Sequence, residues 1–248
     1  PVRPQVKSAS IVGTRPQFIK AAPVSREIRE HNEEILVHTG QHYDENMSEV
    51  FFQVLEIPKP DYNLEVGSGS HARQTAEMMT RLEEVFASEK PDFVLVYGDT
   101  NSAIAGALTA VKMSIPIGHV EAGLRSYNRT MPEEINRIVT DHVSTIVFCP
   151  TQTAVDNLAR EGITRGVHLV GDVMYDVALQ MAQPARARGA GKRHGLRPGE
   201  YLLATVHRPS NADDRETLTG IVEALADCGR IVVFPVHPRT RKNLEAFG

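Results

Sequence analysis

Three carboxylates in this sequence stand where they could do chemistry, two of them where a short β-branched run gives way to a turn and the third in the first turn of a predicted helix. Asp99 lies in Gly98-Asp99-Thr100-Asn101, Glu121 in His119-Val120-Glu121-Ala122-Gly123-Leu124-Arg125, and Glu133 in Met131-Pro132-Glu133-Glu134. Carboxylates in such places can take and return protons. Each also has an ordinary reading: Asp99 as a helix N-cap, Glu121 as a buried acid paired with Arg125, and Glu133 as a first-turn acid favoured by the helix dipole and spaced to meet Arg137.

Cations recur at the same kind of junction. Gly13-Thr14-Arg15-Pro16-Gln17-Phe18-Ile19-Lys20 follows the first apolar run. Gly13 permits a tight turn and Pro16 suits the first helical turn. Amides at a helix start attract anions, and Arg15 adds a planar fork suited to phosphate, with Lys20 within reach. This is neither a Walker A loop nor a GxGxxG fingerprint, so on spacing alone a phosphate site and an ordinary turn stand level.

Later, His207-Arg208 (followed by Asn211) and His237-Pro238-Arg239 each follow a strand-like run. Two such pairs on neighbouring strands make a positive or protonatable wall. After the second run comes Gly40-Gln41-His42, with Gln41 and His42 as polar wall residues. His38 and His42 are four apart, but a strand end and a glycine intervene. Helical metal-ligand geometry is not expected there, and no metal site is assigned.

These residues need elements to hold them. Short apolar runs at Lys7–Val12, Glu34–Thr39, Phe93–Tyr97, Ile117–Val120, Ile146–Phe148 and Val167–Val170 read as strands buried on both faces. Between them, His71–Lys90 and Pro132–Val143 carry apolar residues at three- and four-residue steps, the latter at Ile135, Ile138, Val139 and Val143. This βαβα order predicts a parallel sheet with helices on both faces. Ligands of such sheets sit outside the carboxyl ends of the strands, which is where the residues above fall.

After Gly171 the sequence predicts a helix over Val173–Ala182. A Gly-, Ala-, Pro- and Arg-rich bridge follows over Gln183–Gly199. The alternation then restarts with strands Tyr201–Val206 and Ile231–Val236, a helix over Asp213–Asp227 and another from Thr240. The division expected is residues 1–171, a connection over 172–199, and a second α/β unit over 200–248. Two strands are too few for an independent α/β domain, so the second unit reads as unfinished.

Composition narrows the classes. The chain has 248 residues, 41% apolar and 23% charged, which excludes disorder as the main state and suits one large domain or two modest ones. No apolar stretch approaches the roughly 20 residues of a membrane span. The net charge of −4 shows no basic excess of the kind nucleic-acid binders carry. The five Lys and Arg between Arg186 and Arg197 read as a solvated linker. Cys149 and Cys228 suggest no disulfide framework, which fits a reducing cytosol. No charged start followed by an apolar run opens the sequence, so a secretory leader is not expected.

Taken together, GTRPxxxK (Gly13–Lys20), TGQH (Thr39–His42), GDT (Gly98–Thr100), HVEAGLRS (His119–Ser126), PEExNR (Pro132–Arg137), VGD (Val170–Asp172), TxHRxxN (Thr205–Asn211) and VHPR (Val236–Arg239) resemble the non-hydrolysing UDP-N-acetylglucosamine 2-epimerases. The resemblance implies two Rossmann-like domains in the GT-B arrangement, a cytoplasmic homodimer, and interconversion of UDP-GlcNAc with UDP-ManNAc without metal or redox cofactor. Its route is elimination of UDP to 2-acetamidoglucal, then re-addition. It marks Asp99, Glu121, Glu133 and His207 as catalytic. Arg15, Lys20, Gln41, His42, Arg208, Asn211, His237 and Arg239 become substrate-binding candidates.

Two residues depart from the family pattern: Gln17 and Ser210 stand where Glu is usual. Family members also continue past the position of Gly248 with a Ser-Gly-Gly…Glu segment that holds the nucleotide. A chain without that segment is expected to turn over weakly or not at all. A hydrolysing relative, a glycosyltransferase of the same architecture and a non-catalytic UDP-sugar binder are the competing readings.

Overall fold

The computed structural model describes residues 5–41 and 57–247. They divide into two compact units, residues 1–180 and 181–248.

The first unit is built on seven parallel strands: β1 (Lys7–Val12), β2 (Glu33–His38), β3 (Tyr62–Asn63), β4 (Phe93–Tyr97), β5 (Ile117–Val120), β6 (Ile146–Cys149) and β7 (Val167–Leu169). Their spatial order is β3-β2-β1-β4-β5-β6-β7. The chain steps from β1 outward to β3, then returns to lay β4 on the other side of β1. The winding thus reverses between β1 and β4, the place where sheets of this kind bind ligands outside the strand ends. Register keeps the strand ends level. Val12 lies beside His38, Ile11 beside Val96, and Tyr97 beside Val120.

Among the described residues the unit's helices are α1 (Arg15–His31), α2 (His71–Glu89), α3 (Asn101–Lys112), α4 (Pro132–Val143), α5 (Gln152–Arg160) and α6 (Val173–Arg188), the last running on beyond Gln180. α3 is buried almost all round, with Ala103, Ala105, Ala107 and Ala110 fully enclosed. Its small side chains let it lie close on the sheet, against Ile11 and Val96, with Leu82 and Phe86 of α2 in the same core.

The amino-terminal ends of the strands are tied by charge. The Lys7 ammonium meets Glu89 at 2.7 Å and Glu33 at 3.3 Å, and its backbone amide donates to Asp92 Oδ2 at 2.9 Å.

The sequence expectation for α4 is overturned on one point. Ile135, Ile138, Val139 and Val143 are only half-buried, whereas Glu134, Asn136, Thr140 and Asp141 are buried. The inward face of this helix is polar because those groups find partners in the turns above the sheet. Beyond Val173 the helix does not stop at Ala182. It continues through Pro184 to Arg188, and a short α7 (Ala190–Arg193) follows. The Ala- and Arg-rich composition read as a bridge favours helix.

The second unit pairs β8 (Tyr201–Leu203) in parallel with β9 (Ile231–Val233). Around them stand α8 (Pro209–Ala212), α9 (Arg215–Asp227) and α10 (Pro238–Phe247). Thr240, fully buried, donates its hydroxyl to the carbonyl of Val206 at 2.5 Å, fixing α10 to the end of the β8 segment.

Candidate active site

Asp99 and Glu121 stand on adjacent turns at the carboxyl edge of the first unit's sheet. Gly98 turns the chain out of β4 with φ +64°, and its amide donates to the carbonyl of Val120 at 2.9 Å. A β-carbon there would stand 3.1 Å from Lys20 Nζ and 3.7 Å from Glu121 Oε2. Lys20 and Glu121 are ion-paired, and Lys20 is buried. Glu121 holds φ +68°, a left-handed conformation that costs a non-glycine residue energy and persists only where its surroundings enforce it.

Asp99 follows directly. It does not cap α3; Thr100 does, accepting from the amide of Ala103 at 3.2 Å. The Asp99 carboxylate instead pairs with Arg137, while its backbone carbonyl accepts from Asn136 Nδ2 at 2.9 Å. Arg137 also meets Glu134 at 2.5 Å. Glu134 is fully enclosed and accepts from the amides of Ser126 (2.9 Å) and Tyr127 (2.8 Å) and from the Ser126 hydroxyl. Burial opposes its charge, but those donors and Arg137 outweigh it and hold the carboxyl at about 2. Glu133, its neighbour, is half-buried in the first turn of α4.

The pairings differ from those that spacing suggested. Arg125 does not serve Glu121; it bridges Asp141 at 2.7 Å and Glu161 at 2.7 Å. Arg137 passes over Glu133 for Asp99 and Glu134. The helix start after β1 also differs. Gln17, fully buried, accepts from the amides of Gly13 (2.8 Å) and Thr14 (3.2 Å) and donates to the carbonyl of Tyr97 at 2.8 Å. Two amides expected to face an anion are thus already occupied, and Arg15 stands exposed at the first position of α1. Gly13 itself leaves no room for a side chain: a β-carbon would fall 2.2 Å from both Ser102 Oγ and Thr39 Oγ1.

Gln41 sits inside a polar network, its Oε1 accepting from the amide (3.0 Å) and hydroxyl (2.6 Å) of Ser102 at the start of α3. His42 lies outside the described residues. Among the described residues no group of His, Cys, Asp and Glu is arranged to hold a metal ion. An apolar cavity of about 490 Å³ between α1 and the sheet, lined by Ile28, Phe93, Leu95 and Phe148, reaches Glu121 from below.

In the second unit the two histidines come together. The His207 and His237 rings are 5.8 Å apart, centroid to centroid, and both residues are exposed. Arg208 caps the start of α8, which carries Asn211, and Arg239 pairs with Asp213 at 3.2 Å.

Sequence reasoning missed His119, Glu134 and Asp141, the buried groups beneath the turns. A signal was present: Glu134, Arg137 and Asp141 recur at i, i+3 and i+7, a charged stripe on one helix face.

A doubly wound parallel sheet with acids and a lysine gathered at its crevice defines a ligand-binding α/β protein of the kind that works outside strand ends. The UDP-N-acetylglucosamine 2-epimerase family model matches residues 26–247, and the chain belongs to that family. It is 56% identical to a UDP-N-acetylglucosamine 2-epimerase homolog of Methanococcus maripaludis over 98% of this chain and 68% of that protein. It is 53% identical to the UDP-2,3-diacetamido-2,3-dideoxy-D-glucuronate 2-epimerase of Pseudomonas aeruginosa, over 98% of this chain and 70% of that one. Among solved structures, the Methanocaldococcus jannaschii UDP-GlcNAc 2-epimerase in complex with UDP-GlcNAc and UDP superposes with a TM-score of 0.86 at 43% identity, over 97% of this chain and 68% of that one. No helix among the described residues is long and apolar enough to cross a membrane.

Proposed function

We propose that this protein is a non-hydrolysing 2-epimerase that interconverts UDP-GlcNAc and UDP-ManNAc. The observation that carries the reading is the Lys20–Glu121 pair beside the Gly98–Asp99 turn, in a chain of this family. The C2 hydrogen of the sugar is not next to a carbonyl and is not acidic by itself. Departure of UDP from C1, with the C1–O electron pair leaving on the diphosphate, makes C1 oxocarbenium-like and acidifies C2–H. A carboxylate takes that proton, giving 2-acetamidoglucal. Proton return to the other face of C2 and re-addition of UDP at C1 complete the inversion.

Asp99, Glu121 and Glu133 are the proposed acid/base set, which inversion requires at both faces. Arg15 and His207, with Arg208, His237 and Arg239, are the proposed diphosphate contacts, and cations there stabilise the leaving group as its charge develops. His207 is the candidate to protonate the departing oxygen. Cytoplasmic location, a role in cell-surface polysaccharide synthesis and a homodimer belong to the same reading; light scattering at micromolar concentration checks the last.

The test is incubation with UDP-GlcNAc in deuterated water, followed by NMR of the products. From a protein that carries the Ser-Gly-Gly…Glu segment, UDP-ManNAc deuterated at C2 is expected, without free ManNAc; the 248-residue chain by itself is expected to give little or none. Stoichiometric UDP and free ManNAc would replace this reading with a hydrolytic one. UDP binding with no change in the sugar would leave a non-catalytic binder.

One observation favours a second substrate. Identity to the diacetamido-glucuronate epimerase is 53%, between the 56% to a UDP-N-acetylglucosamine 2-epimerase homolog and the 46% to a UDP-N-acetylglucosamine 2-epimerase, both of Methanococcus maripaludis. The C2 chemistry is the same, but the sugar carries a carboxylate and a second acetamido group. A kcat/KM at least tenfold higher for the uronate than for UDP-GlcNAc would select it.

A further inference from the structure

Beneath the two turns that carry Asp99 and Glu121 lies a buried chain of charged groups that acid/base chemistry does not itself require. His119, in β5 and fully enclosed, donates from Nδ1 to Asp141 Oδ1 at 2.7 Å and from Nε2 to the carbonyl of Gly98 at 2.8 Å. Asp141, on the inward face of α4, also accepts from the amide of Gly123 at 3.1 Å and from Arg125 at 2.7 Å. Arg125 closes the chain with a two-pronged contact on Glu161, both prongs at 2.7 Å.

Hydrogen-bond chemistry fixes the protons. A backbone carbonyl only accepts. Asp141 faces three donors: His119, the Gly123 amide and Arg125. Burial works against its charge, but His119 and Arg125 outweigh that and hold the carboxyl below the usual carboxylate range. Both partners of the His119 ring are therefore acceptors, so both ring nitrogens carry hydrogen. The enclosed ring thus ties the Asp141 carboxylate to the Gly98 carbonyl beneath the site.

One end of this chain grips the Gly98 carbonyl, next to Asp99. The middle grips the Gly123 amide, two residues past Glu121. Between these holds stands Glu121 at φ +68°, a left-handed conformation that neighbouring structure must enforce, while Gly98 at φ +64° adopts its own without a β-carbon to oppose it. Two carboxylates that hand protons to one carbon must keep a fixed separation, and a misplacement of about 1 Å can cost on the order of 100-fold in rate.

We propose that His119 is a positioning residue for the epimerisation: held by Asp141, its ring clamps the Gly98 carbonyl and thereby fixes the Asp99 turn relative to the Glu121 turn. It touches no substrate and acts only through the two turns. The proposal rests on the epimerase reading, so its test has one arm that needs no turnover.

That arm is NMR of the unmodified full chain labelled with 15N at histidine. His119 is expected to show a one-bond N–H correlation at both ring nitrogens at neutral pH, slow to exchange with solvent. A ring with a single bound hydrogen overturns the clamp, whatever the enzyme's activity.

The kinetic arm compares His119→Gln with His119→Asn in the full chain. The longer amide places a donor near the Nε2 position and the shorter one does not. For His119→Asn, kcat is expected to fall about 10- to 100-fold, with KM and UDP affinity within threefold of the parent. His119→Gln should recover at least tenfold of any such loss. Equal losses in the two variants, a kcat change below threefold for His119→Asn, or a KM that rises as far as kcat falls would each overturn the positioning role. A parent that leaves UDP-GlcNAc and the uronate unchanged sinks the epimerase reading instead, and the NMR arm then decides the clamp alone.

Discussion

Lys20 reaches from the second turn of α1 to the carboxylate of Glu121, and the two meet beside the bare α-carbon of Gly98. Three segments far apart in sequence thus share one point at the carboxyl edge of the sheet. Little else can occupy that point, which makes Gly98 the sharpest steric test of the site.

Gly98→Ala adds a methyl 3.1 Å from Lys20 Nζ at a backbone with φ +64°. The left-handed conformation alone costs about 1–2 kcal/mol for a residue with a β-carbon. Chemical denaturation should show a loss of that size. Activity should fall by more than stability explains, because the methyl displaces the Lys20–Glu121 pair.

Asp99→Asn and Glu121→Gln keep size and remove charge. Both are expected to lose deuterium incorporation at C2 when the full chain is incubated with UDP-sugar in deuterated water, while UDP binding measured by calorimetry persists. Normal incorporation in both would remove these residues from the acid/base set.

Glu134→Gln tests whether the carboxylate next to Glu133 is a structural anchor. Glu134 holds the amides of Ser126 and Tyr127 and the Arg137 guanidinium, so neutralising it should destabilise the chain by about 2–4 kcal/mol. Its folded-state carboxyl lies at about 2, below the ordinary 4.5. The stability it confers is present above about 4.5 and is lost as pH falls toward 2. Melting curves of the parent should carry that acid-side slope, and those of Glu134→Gln should lack it.

His38 gives a pH effect in a higher window. Its ring is buried, packs edge-on against Phe18, and Nε2 has no hydrogen-bond partner among the described residues. Burial pushes it from 6.5 to about 4. The unfolded chain therefore takes up a proton below about 6.5 that the folded chain refuses. Stability falls by about 3 kcal/mol as pH drops from 6.5 to 4 and then levels. His38→Phe should flatten this segment of the stability curve; an unchanged slope would show that another group titrates there.

The strands were legible because parallel strands covered on both faces leave dense β-branched runs. The Phe93–Tyr97 and Ile117–Val120 segments emerge with the bounds read from sequence. Pro132 at the first helical position marked α4. The two-residue β3 carries too little pattern to announce itself, and it exists because β2 offers it an edge to pair with.

The placing of Asp99 and Glu121 at strand ends followed from their position after β4 and β5. Their partners did not, because a pair such as Lys20 and Glu121, separated by about a hundred positions, is set by strand order. Hydrophobic periodicity treats Glu134 and Asp141 as outward-facing, whereas the turns above the sheet supply enough donors to bury them.

The seven described strands of the first unit all point the same way, so this unit has a working pole and a quiet one. The quiet pole is where Lys7 gathers Glu33, Glu89 and Asp92 at the strand starts. It lies roughly 17–20 Å, one strand length, from the Glu121 turn. A fluorophore, affinity handle or surface tether fixed on the loops there leaves the opposite rim unencumbered, so single-molecule or immobilised assays can grip the protein without touching its chemistry.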